Sequence, residues 1–158
     1  MSYIDTKSYK AFMNSPYRSI KHKSYLDVHD TLLEEYVGKD ITFVEIGVLD
    51  GGSLFMWREF FGEEARIIGI EINESAKVWE DYGFEIFIGS QSDTNFWKKF
   101  YAQVGNIDIL LDDGSHITKH QIKTYNALYK CVKKTGLFII EDLANSYEEW
   151  GNNELNLR

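Results

Sequence analysis

The sequence predicts a doubly wound α/β fold built on a mainly parallel, Rossmann-like sheet. Three observations lead there. From residue 41 onward, five short apolar runs rich in β-branched residues alternate with four helical segments. The runs are nearly continuous in apolar character, as expected of strands covered on both faces by crossover helices. Four of the five runs end in a carboxylate. Ligands of such sheets sit just beyond the carboxyl ends of the strands, and a buried acid there needs a partner.

The elements follow in order. Residues 1–40 are a lead-in: polar to residue 23, then a helix over Ser24–Val37 with Leu26, Leu33 and Val37 at helical spacing, a capping pair Ser24 and Asp27, and Gly38 as a stop. The core spans 41–142. Ile41–Ile46 is the first strand, Gly52–Phe61 a helix, Arg66–Ile72 the second strand, Ser75–Tyr82 a short helix and Phe84–Ile88 the third strand. Asp93–Val104 is a helix capped by Asp93 or Thr94, with Phe96, Trp97 and Phe100 on one face. Ile107–Leu111 is the fourth strand. Ile117–Lys134 reads as a longer helix with Ile122, Tyr125, Leu128 and Val132 on one face, stopped by Gly136 before a fifth strand, Leu137–Ile140. Residues 143–158 form a short polar tail, so the whole is expected to be one domain.

Composition narrows the function classes. Lys and Arg number 17 against 25 Asp and Glu, a net charge of −8. That argues against nucleic acid as a partner. The longest apolar runs are four or five residues, and the start lacks a signal-peptide plan. No membrane association is expected. The single cysteine, Cys131, excludes an internal disulfide, reads as a small buried residue on a helix, and fits a cytoplasmic location. His22, His29 and His120 read as surface or helix-packing residues, and Trp57 and Trp97 as core.

The first strand runs into Glu45-Ile46-Gly47-Val48-Leu49-Asp50-Gly51-Gly52-Ser53. The glycine spacing is neither that of a dinucleotide fingerprint nor that of a phosphate loop. Glycines followed by a helix start still allow close backbone approach to a ligand. Glu71, ending the second strand, has two oxygens suited to a pair of ribose hydroxyls. These residues resemble the class I methyltransferases that use S-adenosylmethionine. The resemblance implies that Gly47 and Gly51 flank the methionine part of that cofactor, with Glu45 and Ser53 nearby. It implies that Glu71 holds the ribose, that Ser90 and Gln91, in the loop Gly89–Asp93, lie by the adenine, and that Asp112 also belongs to the cofactor site.

The fourth strand ends in Asp112-Asp113-Gly114-Ser115-His116 and the fifth in Glu141-Asp142. Adjacent parallel strands lie about 5 Å apart, so Asp113, Glu141 and Asp142 are expected to converge. Such a set does not all stay ionised without a cation, and hard oxygen donors suit Mg²⁺ first, with Ca²⁺ and Mn²⁺ as alternatives. His116, three residues after Asp113, is placed to act as a general base. Asp-Asp-Gly is equally a sequence that favours a turn. The constellation resembles the metal-dependent sugar O-methyltransferases of the macrocin and mycinamicin type, as do Phe43–Val48 and Gly51–Trp57. That branch often carries an acid where Ser90 stands. The resemblance implies Mg²⁺ on Asp113, Glu141 and Asp142, His116 and Asp113 as catalytic residues, and a saccharide or glycosylated small molecule as acceptor.

Class I methyltransferases ordinarily have seven strands, and the polar segment 146–158 does not read as two more. The expected sheet therefore lacks strands six and seven. A truncated or degenerate module that binds S-adenosylmethionine or a partner without catalysis is the alternative. An exposed sheet edge leads to the expectation of a homodimer.

Overall fold

A computed structural model of the protein describes residues 3–143. The polar segment after Leu143, and with it the expectation about further strands, lies outside the described residues. The element order is α1 (Lys7–Asn14), α2 (Lys23–Leu33), β1 (Thr42–Ile46), α3 (Gly52–Phe61), β2 (Arg66–Glu71), β3 (Glu85–Ile88), α4 (Thr94–Val104), β4 (Ile107–Asp112), α5 (Thr118–Leu128) and β5 (Val132–Ile140). Among the described residues the five strands form one parallel sheet in the order β3-β2-β1-β4-β5. The order reverses between β1 and β4, the switch point at which such sheets bind ligands.

The near-continuous apolar runs are explained by two cores. Phe43, Ile67, Ile109 and Leu111 face a cluster with Leu54, Trp57 and Phe61 of α3, Leu26 and Leu33 of α2 and Ala11 of α1. Val44, Ile68, Ile70 and Leu110 face the opposite cluster with Trp97 and Phe100 of α4 and Leu128 of α5. Successive strand residues therefore both find apolar partners.

Several expectations are corrected. The lead-in, whose polar sequence reads as irregular or weakly helical, contains a regular helix, α1, capped by the Thr6 side chain accepting from Tyr9 N. Its buried residues are the small Ser8 and Ala11, which leave little apolar stripe to read. The N-cap of α2 is His22, whose Nδ1 accepts from Ser24 N, rather than Ser24. Finally, α5 ends at Leu128, and Cys131 and Val132 belong to the turn and to β5; Gly136 lies within that strand. The buried face of α5 is Thr118, Gln121, Thr124 and Leu128, while Tyr125 is exposed. Polar packing against the loops above the sheet decided that face: Gln121 Nε2 donates to Glu141 O at 3.3 Å. The expected helix at Ser75–Tyr82 is a 3₁₀ segment, Glu74–Tyr82, whose one buried residue is Ala76. Among the described residues no helix is long and apolar enough to cross a membrane.

The switch point rests on a close backbone approach. Gly47 has φ +92°, and a Cβ there would lie 2.1 Å from Asp113 O. Gly83, at φ +84°, faces open space. Alanine at Gly83 therefore carries only the left-handed strain of about 1–2 kcal/mol. Gly47→Ala adds a backbone overlap, and its urea midpoint should fall well below that of Gly83→Ala in equilibrium unfolding. Equal midpoints would mean that β1 and β4 do not need this contact.

Candidate active site

The carboxyl ends of β1, β4 and β5 bring together most of the acids expected from the sequence, sorted onto two faces. Asp112 and Asp113 are consecutive, and their side chains leave on opposite sides of the sheet. Asp112 is fully buried toward α4, where Gln91 Nε2 donates to both its oxygens (2.7 and 2.6 Å). Burial raises the Asp112 carboxyl to about 6, against the opposing pull of Gly114 N–H, Gln91 and His116. Gln91 is itself held: its Oε1 accepts from Ser115 N and Ser115 Oγ, and its backbone carbonyl accepts from Trp97 Nε1. Asp112 and Gln91 thus tie the loop after β3 to the loop after β4.

Asp113 points the other way, toward α2 and α3. Its Oδ2 accepts from Lys21 Nζ at 2.5 Å. The same ammonium donates to Glu141 Oε2 (3.1 Å) and Glu45 Oε1 (3.3 Å). The Lys21 side chain is 1% exposed. Burial alone would lower its pKa, but Glu45, Glu141 and Asp113 raise it, so it stays charged. One ammonium does not offset three buried carboxylates. Asp113 carries the excess: burial, then Glu141 and Glu45, raise it to about 7 despite Lys21. Glu141 is held at about 2, because hydrogen bonds and charges from His29 and Lys21 outweigh the effect of burial.

Glu141 Oε1 meets His29 Nε2 at 2.7 Å, so both its oxygens face protein cations or donors. Glu45 is likewise engaged by Ser53 Oγ (2.6 Å) and Trp57 Nε1 (3.1 Å), fully buried behind the glycine loop. The outer group is different. Asp113 Oδ1 and Asp142 Oδ2 lie 3.9 and 3.7 Å from His116 Nε2. One ligand atom from each of these three residues lies within 4.8 Å of the others. Both His116 (φ +54°) and Asp142 (φ +55°) have left-handed backbones, a strain of the kind that collects at functional sites. Tyr25 of α2 steadies Asp142, its hydroxyl donating to Oδ1 (2.8 Å) and accepting from Asp142 N (3.2 Å).

Two of the cavities at these strand ends adjoin the glycine loop. One, about 260 Å³, is walled by Gly47, Ser53, Glu71, Asp113, His116 and Asp142, with Ser19 and Ile20 of the lead-in. The other, about 210 Å³, runs from Gly47 and Glu71 to Ser90, Gln91 and His120. Glu71 stands between them. Its Oε2 accepts from Val48 N and Leu49 N, and its Oε1 from Ile72 N and Asn73 N. Gly51 faces neither cavity wall; its φ of +81° and the Trp79 ring against its Cα account for the glycine. Of the sequence-derived candidates, Gly47, Ser53, Glu71, Ser90, Gln91, Asp113, His116 and Asp142 line these two cavities, Glu141 lines a third, of about 280 Å³, with Lys21, Asp113 and Asp142, and Glu45 and Asp112 form the buried support.

Sequence reasoning missed Lys21, Tyr25 and His29. Tyr25 and His29 stand four apart on α2, a polar stripe beside Leu26 that marks a helix face turned to something polar. Lys21, in an irregular segment, left no such signal.

No family model matches the chain. In sequence it is 33% identical over 126 residues to demethylmacrocin O-methyltransferase of Streptomyces fradiae, and 32% over 126 residues to mycinamicin VI 2''-O-methyltransferase of Micromonospora griseorubida. Each alignment takes in 75% of this chain and 31% of the relative, so the chain spans about a third of their length. The structure of MycE methyltransferase from the mycinamycin biosynthetic pathway, in complex with Mg and SAH, aligns with 93% of this chain and 38% of its own. The TM-score is 0.77 at 28% identity. Aeropyrum pernix fibrillarin, bound to S-adenosyl-L-methionine, shares the fold at 17% identity and a TM-score of 0.54, covering 66% of this chain and 46% of its own. The chain thus has the Rossmann-like methyltransferase fold and resembles the macrocin and mycinamicin branch.

The bridge through Gln91 is open to test. A carboxyl whose folded-state pKa is raised binds more protons folded than unfolded between about 4 and 6. Its destabilising effect is absent below that window and complete above it. Gln91→Leu, which removes both Gln91 hydrogen bonds and leaves Asp112 only the Gly114 N–H, should destabilise by about 2–4 kcal/mol at pH 8 in urea unfolding and by clearly less at pH 5. A penalty independent of pH would exclude an ionised Asp112.

Proposed function

We propose that this chain is the cofactor- and cation-binding part of an S-adenosylmethionine-dependent O-methyltransferase, acting on a hydroxyl of a saccharide or glycosylated small molecule. One observation carries the reading. Two carboxylates and an imidazole, Asp113, Asp142 and His116, converge on a cavity that also reaches Glu71 and the glycine loop. The likeness to two sugar O-methyltransferases, and to a structure that holds Mg and SAH, supports it.

The donor set fits the groups invoked. Hard oxygens of Asp113 and Asp142, backed by Glu141, suit Mg²⁺. Glu71, at the wall between the two cavities, suits the cofactor's ribose hydroxyls, with Ser90 and Gln91 on the adenine side. When bound, S-adenosylmethionine supplies an activated methyl group and Mg²⁺ acidifies a hydroxyl. The chain's own residues do the rest. Asp113 and Asp142 fix the acceptor end of the cavity, and Tyr25 holds Asp142 in place. His116 Nε2, turned toward both carboxylates, takes the acceptor's proton. The walls from Gly47 and Glu71 bring the reacting groups into line.

Calorimetry with S-adenosylmethionine should show binding that drops at least tenfold in Glu71→Ala; no binding by the intact chain refutes the cofactor role. His116→Ala should leave cofactor affinity unchanged and remove methyl transfer to a sugar panel. Asp113 is raised to about 7, so protons compete with a cation for it. Mg²⁺ affinity should therefore fall about tenfold per pH unit below 7 and level off above. A profile flat from pH 5 to 8 would mean that Asp113 is already ionised at pH 5, against the excess of buried acid around Lys21.

A further inference from the structure

The strap between α1 and α2, residues 15–22, is the part of the site that no strand supplies. It crosses the start of α3, where Gly52 N donates to Arg18 O at 3.2 Å and Ser15 Oγ donates to Gly52 O at 2.8 Å. It then turns Lys21 inward. Three N–H bonds of that ammonium meet three carboxylates from the ends of three strands: Glu45 on β1, Asp113 after β4 and Glu141 after β5. The ammonium also lies 5.9 Å from the Trp57 ring centroid. An ammonium has three donors, and here all three are used.

Lys21 holds Asp113 by Oδ2 alone. The other oxygen, Oδ1, is the one that faces His116 beside Asp142. A single carboxylate thus serves a protein cation on one oxygen and the outer group on the other. We propose that Lys21 is a positioning residue: a permanent internal cation that locks the three strand ends and presents Asp113 Oδ1 to a divalent ion. This rests on reading Asp113 and Asp142 as the cation site, with His116 beside them as the base. The rival is that Lys21 merely fills the acidic pocket and leaves when the ion arrives. Its burial and complete set of partners favour permanence, since release would strip Glu45 and Glu141 of their shared counter-charge.

Two measurements decide. In the intact chain labelled with ¹⁵N-lysine, Lys21 should give a slowly exchanging ammonium signal that shifts yet persists through Mg²⁺ saturation. Its disappearance into solvent exchange as Mg²⁺ binds would overturn the proposal, and so would its absence beforehand. By calorimetry at pH 7.5, Lys21→Met should bind Mg²⁺ about 10–100-fold more weakly, as when a residue supporting a metal ligand is removed. Equal or tighter binding in Lys21→Met overturns the proposal while leaving the cation site standing. No Mg²⁺ binding by the parent overturns both. If Lys21→Met does not fold, the ammonium signal of the parent carries the decision.

Discussion

The ammonium of Lys21, buried among Glu45, Asp113 and Glu141, is the constraint on which the rest of the site depends. Carboxylates at the ends of buried strands are costly to desolvate singly. Three of them on adjacent strands repel one another as well. A cation held at their centre turns that repulsion into a joint between β1, β4 and β5. Because the ammonium comes from the lead-in rather than the sheet, the same interaction also fastens the strap and α2 over the strand ends. Tyr25 and His29 of α2 can then reach Asp142 and Glu141.

The acids divide into support and working surface through strand alternation. Asp112 turns to Gln91 and stabilises the loops on the α4 side. Asp113, one residue on, turns to Lys21 with one oxygen and to His116 and Asp142 with the other. Glu45 and Glu141 spend both their oxygens on protein donors. The net charge of −8 is thus partly an internal matter: several carboxylates are consumed in the architecture, and fewer remain to face a ligand than the motifs imply.

Much of the fold is legible in the residues because parallel strands and their helices are encoded locally. Ile41–Ile46, Arg66–Ile72 and Gly52–Phe61 are largely apolar runs, and they fold within a residue or so of the bounds read from the sequence. The failures share a cause. The end of α5, its polar buried face and the small-residue helix α1 are all decided by what packs against them. Local periodicity cannot report that. In the site, Glu71, Asp113, His116 and Asp142 stand out because a carboxylate or imidazole at a strand end is a departure from the surrounding pattern. Tyr25 and His29 stand out only as a faint polar stripe on α2, and Lys21 not at all, since a lysine in a polar segment is ordinary.

By itself, then, the sequence determined the strands, their order of appearance, the glycine turn at Gly47 and the set of acids at the strand ends. Hydrophobic runs and turn chemistry act over a few residues and need no distant partner. Only the tertiary structure decided which acid faces what. Lys21 lies 92 residues from Asp113 and 120 from Glu141, and charge pairing at that separation exists only once the sheet has brought the strand ends together.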